Sequence, residues 1–136
     1  MSIFSVSFEV RDNEVDMQGV VNNANYFIYL AHCRHKYAES IGINFAEYAK
    51  NKQNLLLLAT ETVFKNSLLP GDKFYVTCKA ASLGSKMKFA FKQEVRLIDN
   101  DRLILTSLNT ATCINSNCDD VRKRAYIPEK VLKLLD

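Results

Sequence analysis

Residues 23–41 read NANYFIYLAHCRHKYAESI and repeat their apolar side chains at helical spacing. The residues that share one face, at intervals of four, three, four and four, are Tyr26, Leu30, Cys33, Tyr37 and Ile41. Asn22 or Asn23 can cap the start, and Gly42 follows where a glycine commonly ends a helix. The pattern predicts one long helix with an apolar face.

Alternating segments surround this helix. Residues 3–11 alternate apolar and polar side chains, as a half-buried strand does. Further strands are predicted over residues 54–66, 73–81, 86–98 and 102–115, and short helices over 45–51 and 128–136. Because hairpin-linked strands form antiparallel sheets, we expect an α+β fold in which a curved sheet of about five strands wraps around one long central helix. This is the hotdog architecture, and a ferredoxin-like or cystatin-like sheet fits the same order nearly as well.

The composition is that of one globular domain, which we expect to span residues 1–136. Apolar residues make up 48% of the chain, which excludes disorder. The net charge of +3 is too small for dedicated nucleic-acid binding but suits an anionic small ligand. The apolar run at residues 55–59 is too short to cross a membrane. We therefore expect neither nucleic acid nor a membrane as a partner.

The N-terminal segment and the cysteines favour a cytoplasmic location. Residues 1–10 lack the basic start of a secretory signal. The cysteines, none of them in a CxxC pair, are Cys33, Cys78, Cys113 and Cys118. His32 and His35 lie one helical turn apart but lack a third metal ligand. We expect reduced thiols and no metal site.

Three carboxylate residues stand just before the predicted helix: Asp12, Glu14 and Asp16. A helix start offers unpaired backbone N–H groups and the positive end of the helix dipole. A carboxylate beside such donors can attack a carbonyl that they polarise, or activate water to do so. The alternative is that these acids only cap the helix and solvate the loop.

The stretch Asp16-x-x-Gly-Val-Val-x-x-Ala-Asn-Tyr26 resembles the signature of the 4-hydroxybenzoyl-CoA-type hotdog thioesterases. The resemblance extends through Arg34, residues 40–43 and residues 69–72, and it is densest over residues 8–48. Residues 10–12, 19–24 and 32–35 are most similar to the plant plastid acyl-ACP thioesterases. The resemblance implies a hydrolase that cleaves acyl-CoA or acyl-ACP to a free acid and a thiol.

The resemblance also implies roles for single residues. Asp16 takes the place of the family's nucleophile or general base, and the backbone N–H of Asn23 that of the group polarising the thioester carbonyl. Gly19 and Val21, in the same motif, are expected to lie against the substrate. Many bacterial relatives carry Asp-Thr-Asp where this chain has Glu-Val-Asp at residues 14–16, and Tyr-His at residues 22–23. The second difference concerns the substrate class more than the reaction.

Further substrate contacts are expected on the strands. Thr60 and Glu61 lie in the strand that faces the partner subunit's site in other hotdog enzymes. Ser85, Lys86 and Lys88 lie at a turn that the family places near the nucleotide, where basic groups suit an anionic coenzyme A or phosphopantetheine arm. That arm is part of the substrate, and no separate cofactor is expected. The alternative explanation of the lysines is that they lie on a strand face exposed to solvent. The alternative for Glu61 is likewise a side chain that points to solvent.

A sheet wrapped on one helix leaves an edge with unpaired backbone groups. The apolar run at residues 55–58 is hard to bury on the chain's own helix, and pairing two such edges would cover it. We therefore expect a homodimer as the minimal active unit, and beyond it a homotetramer; in the dimer, Thr60 and Glu61 approach Asp16 of the other subunit. A non-catalytic hotdog module that binds acyl thioesters is the alternative function, and an interaction domain unrelated to acyl groups is a third.

Overall fold

A computed structural model of the chain describes residues 3–42, 53–115, 124–125, 132–133 and 135. Its elements, in chain order, are β1 (Phe4–Glu9), a 3-10 helix (Asp12–Glu14), α1 (Asn23–Ser40), β2 (Gln53–Phe64), β3 (Lys73–Ser82), β4 (Lys88–Leu97), β5 (Leu103–Asn115) and β6 (Arg124–Ala125). The predicted helix at 45–51 lies outside the described residues, as does most of the one at 128–136. That residues 1–136 form one domain stays a prediction.

The long helix begins and ends where its local sequence directs. The Asn22 side chain caps α1 by accepting the Ala24 N–H at 2.9 Å, so Asn22 is the cap and Asn23 is the first helical residue. At the other end the Gly42 N–H donates to the Glu39 carbonyl at 3.1 Å, with Gly42 at a φ of 85°. This left-handed conformation suits glycine and terminates the helix.

The strands form one antiparallel sheet in the order β1-β3-β4-β5-β2, with β6 paired to β5. The sheet curves around one long helix, which confirms the predicted hotdog architecture and excludes the other two sheets considered. β1 and β2 therefore lie at opposite edges of the main strand order. Pairing of β2 with β5 shifts register between Leu57 and Ala59, where β2 carries a β-bulge.

The core lies between α1 and one face of the sheet. Its fully buried side chains include Leu30 and Cys33 of α1, Phe74 and Val76 of β3, and Phe89 and Val95 of β4. On β4 the alternation that buries Phe89 and Val95 also buries Gln93, which is 2% exposed. Apolar burial of this kind contributes about 1.5–3 kcal/mol for each large side chain, so the sheet and α1 stabilise one another.

Candidate active site

The loop before α1 folds back on itself so that Asp16 is held close to the start of the helix. Val15 and Val21 form an isolated antiparallel bridge, and the Asp16 N–H donates to the Val20 carbonyl at 2.9 Å. Gly19 closes the turn: its N–H donates to the Asp16 carbonyl at 3.1 Å, and its φ is 80°. An L side chain at this φ would be strained, which explains the glycine.

Glu14 ties the same loop to the first turn of α1. Its backbone carbonyl accepts the Asn22 N–H at 3.1 Å and the Asn25 side-chain amide at 2.8 Å. Its carboxylate accepts the Arg11 N–H at 2.8 Å and so caps the 3-10 helix. Glu14 therefore acts as a structural part of the loop.

Asp16 is half-buried as a residue, and its Oδ1 accepts the Gln18 N–H at 2.8 Å. It is not the cap of α1, because the Asn22 side chain occupies that position. The Asn23 N–H belongs to the first residue of the helix, which has no intrahelical acceptor for it. Asn22 therefore explains how α1 begins, and none of the three acids is needed as its cap.

Hydrogen bonds with the backbone of Leu68 fix the position of this loop. Val21 is 2% exposed, and its N–H donates to the Leu68 carbonyl at 3.0 Å. The Leu68 N–H in turn donates to the Tyr26 hydroxyl at 2.9 Å. Burial raises the pKa of the Tyr26 phenol, which therefore stays protonated. Leu68 thus joins the loop to α1 through both of its backbone polar groups.

We predict that Tyr26→Phe lowers the free energy of unfolding by about 1–3 kcal/mol, because it leaves the buried Leu68 N–H without its acceptor. Chemical denaturation measures this change. Tyr75→Phe is the matched control: the Tyr75 hydroxyl donates to Asp101 at an exposed position, so water can replace it. Equal losses in the two variants would contradict the role given to Leu68.

Thr60 and Glu61 point to opposite faces of β2. Thr60 Oγ1 lies 2.9 Å from Thr62 Oγ1, which lies 2.8 Å from Ser107 Oγ on the face that packs against α1. Glu61 is opposite Leu108 of β5 and lines a groove on the outer face together with Lys92. The structure therefore separates the two residues that sequence reasoning grouped together.

The basic turn lies at the β3–β4 hairpin. Ser85 and Lys86 are exposed, and Ser85 Oγ accepts the Met87 N–H at 3.0 Å. Lys88 is the first residue of β4, is exposed, and lies opposite Thr112. Their predicted contacts with the nucleotide stay predictions.

Among the residues described, no group of three or more His, Cys, Asp or Glu side chains is placed to hold a metal ion. Cys33, Cys78 and Cys113 are buried, and Cys118 lies outside the described residues. The described helices include none that is long and apolar enough to cross a membrane.

Known proteins resemble this chain in both sequence and fold. The family model of the Thioesterase-like superfamily matches residues 10–135. The chloroplastic acyl-acyl carrier protein thioesterase ATL3 of Arabidopsis thaliana is 34% identical over 130 residues, which cover 96% of this chain and 68% of that protein. ATL2 of the same plant is 30% identical over 122 residues, covering 90% of this chain and 64% of that protein.

A solved structure agrees in fold. The 1,4-dihydroxy-2-naphthoyl-CoA thioesterase of Synechocystis superposes with a TM-score of 0.86 at 17% identity, covering 98% of this chain and 95% of that one. At this identity the likeness concerns the fold alone. The motif around Asp16, the fold and the family match agree, and the chain belongs to the Thioesterase-like superfamily.

Proposed function

We propose that this protein hydrolyses the thioester of an acyl-CoA or acyl-ACP to a free acid and a thiol. One observation carries the proposal: the loop holding the Asp16 carboxylate is bonded to itself and to the first turn of α1, where the Asn23 N–H has no intrahelical acceptor. Membership of the Thioesterase-like superfamily supports the same activity. A pure binding module has no use for a carboxylate held beside the reacting carbonyl.

Two routes use this arrangement. As a nucleophile, the Asp16 carboxylate attacks the carbonyl carbon, the thiolate leaves, and water then cleaves the resulting anhydride. As a general base, Asp16 takes a proton from water, which attacks the carbonyl directly; the C–S bond then breaks and the thiolate leaves. In both routes the Asn23 N–H donates to the carbonyl oxygen as negative charge develops on it, with the helix dipole adding to the stabilisation.

The substrate is expected to be an acyl group on a phosphopantetheine arm. ATL3 and ATL2 are named for acyl-ACP, and the Synechocystis enzyme for an aryl-CoA, so both carriers belong in the assay. The exposed Lys86 and Lys88 suit an anionic arm. No cofactor beyond the arm is proposed, and the cytoplasmic location stays a prediction.

Release of free thiol from aliphatic and aromatic acyl-CoAs and acyl-ACPs tests the activity. We expect turnover of at least one class. If no member of the panel is cleaved but a member raises the melting temperature, the protein is the non-catalytic module instead. If none is cleaved and none shifts melting, the acyl-group assignment itself is wrong.

We further propose a homodimer joined along β2, with a homotetramer formed from two such dimers. β2 is an edge strand and exposes apolar side chains: Leu56 (45%), Leu57 (44%), Val63 (50%) and Phe64 (43%). An edge of this kind favours pairing with another chain, and a two-fold axis lets two copies cover each other. The same pairing brings β2 of one subunit towards the Asp16 loop of the other.

We predict that a Leu56→Lys/Leu57→Lys double variant is monomeric and loses activity, because charges on an exposed edge oppose strand pairing. Light scattering and thiol release measure both effects. Ile98→Lys, which places a charge on an apolar side chain that is 47% exposed in the β4–β5 turn, is the control and should keep the wild-type mass. A fully active wild-type monomer at micromolar concentration would contradict the dimer.

A further inference from the structure

A line of polar side chains crosses the sheet face that packs against α1. Gln93, Ser107 and Asn109 are 2%, 5% and 1% exposed. Asn109 Nδ2 donates to Gln93 Oε1 and to Ser107 Oγ, each at 3.0 Å. Ser107 Oγ lies 2.8 Å from Thr62 Oγ1, and Thr62 Oγ1 lies 2.9 Å from Thr60 Oγ1. The polar line, residues 93, 109, 107, 62 and 60, therefore runs from β4 across β5 to the open edge at β2.

The helix fixes the other end of the polar line. Arg34 Nη1 donates to Gln93 Oε1 at 3.0 Å, and Gln93 Nε2 donates to the Leu30 carbonyl at 3.0 Å. Burial lowers the pKa of the Arg34 guanidinium, which still remains a cation at neutral pH. The Gln93 amide is thus oriented by a charged donor on one side and by a helix carbonyl on the other.

The contacts of Gln93 with Arg34 and Leu30 determine which atoms donate and which accept at this end of the polar line. Because Gln93 Oε1 accepts, Asn109 must be the donor, and Ser107 Oγ then accepts from Asn109. Either hydroxyl can be the donor in the Ser107–Thr62 pair, and the direction in which Ser107 donates gives its buried proton an acceptor. The same direction makes Thr62 the donor to Thr60 Oγ1, in a pair where either hydroxyl can donate. In this arrangement the Thr60 hydroxyl accepts from Thr62 and has its own proton left to donate outwards.

Core packing does not require these residues. Burying polar side chains costs free energy unless every one is paired, and apolar side chains of similar size at the same positions are often equally stable. The line ends at an exposed threonine on the edge strand, where a ligand or a second subunit can reach it. Its position therefore indicates a role at that edge.

We propose that the polar line holds Thr60 as a fixed hydrogen-bond donor to an oxygen of the acyl-thioester substrate, in the site that β2 completes for the partner subunit. This rests on the function and dimer proposed above. Thr60 would touch the substrate, while Arg34, Gln93, Asn109, Ser107 and Thr62 act as positioning residues. Glu61 faces the other side of the sheet and has no part in it.

Isosteric variants of the two threonines test the proposal by their kcat/KM for thioester hydrolysis. We expect Thr60→Val and Thr62→Val each to lower kcat/KM about tenfold, the effect of one neutral hydrogen bond. The double variant should be no worse than Thr60→Val alone, because both changes remove the same donor. Thr60→Ser, which keeps the hydroxyl, should stay within about threefold of wild type. Thr106→Val, on the outer face of β5, is the matched control.

Several results would overturn the proposal. Losses that multiply in the double variant would show that Thr62 acts apart from Thr60. A Thr62→Val variant with a lowered melting temperature and wild-type kcat/KM would show a structural role only. If Thr62→Val does not fold, Ser107→Ala breaks the same line on β5 and carries the same expectation. A wild-type protein that cleaves none of the thioesters refutes the function itself, whereas an active wild type with an unaffected Thr60→Val variant refutes only this inference.

Discussion

Asp16→Asn is expected to lower kcat for thioester hydrolysis by at least about 10²-fold while leaving the fold intact. The amide cannot serve as nucleophile or base, but it is the same size as the carboxylate. It also keeps an oxygen that can accept the Gln18 N–H, and the backbone bonds of Asp16 to Val20 and Gly19 are unchanged. Thiol release under saturating substrate, together with the melting temperature, measures the two effects separately.

Two further variants sharpen this experiment. Asp12→Asn, in the exposed 3-10 helix of the same loop, removes one negative charge and should retain wild-type turnover. Asp16→Glu should also be poor, because the extra methylene displaces the carboxylate by about an ångström from the carbonyl. Wild-type kcat in Asp16→Asn would show that another group performs the chemistry.

Asn23→Pro is expected to lower kcat for hydrolysis about 10²–10³-fold in a protein that still folds. Proline at the first position of a helix is well tolerated, since its missing N–H makes no intrahelical bond there. Asn22, the preceding residue, has φ and ψ of −64° and 139°, an extended conformation that a following proline favours. The substitution therefore removes the proposed donor to the carbonyl oxygen and little else. Loss of such a donor typically costs about 10²–10³-fold in kcat.

Asn23→Ala is the matched control, because it removes the side chain and keeps the N–H. The helix cap belongs to Asn22, so the alanine variant should be nearly as stable and as active as the wild type. Circular dichroism and thiol release on both variants decide the question. If the alanine variant loses activity as strongly as the proline variant, the Asn23 side chain is what matters.

The parts of the fold that depend on residues close together in the sequence could be predicted from the sequence. The helix was expected over residues 23–41 and spans Asn23–Ser40, because its cap, its apolar spacing and Gly42 are all local signals. The four long strands begin and end within two residues of their predicted bounds for the same reason. The loop motif around Asp16 was also visible, and the structure shows how it is fastened to α1.

The long-range features could not be predicted in this way. That β2 lies at the edge of the sheet depends on which strands pair across the whole chain. Gln93 did give a signal, as a polar residue on the face of β4 that also carries Phe91 and Val95. Its partner Arg34 is 59 residues away, and no local pattern joins the two. The hydrogen bond from the Leu68 N–H to the Tyr26 hydroxyl was not predicted for the same reason.

The bulge in β2 determines which side chains the edge strand presents on each face of the sheet. Leu57 is opposite Ala111 and Ala59 is opposite Thr110, so Leu58 is the extra residue. Side chains alternate between faces along a strand, and one extra residue reverses every assignment after it. If Leu58 were paired as a regular strand residue, with Leu57 still opposite Ala111, the alternation would turn Glu61 towards α1 and both threonines towards the outer face. Loss of the bulge with Leu58 retained would therefore exchange a neutral hydroxyl for a carboxylate on the face towards α1, with no substitution at either position.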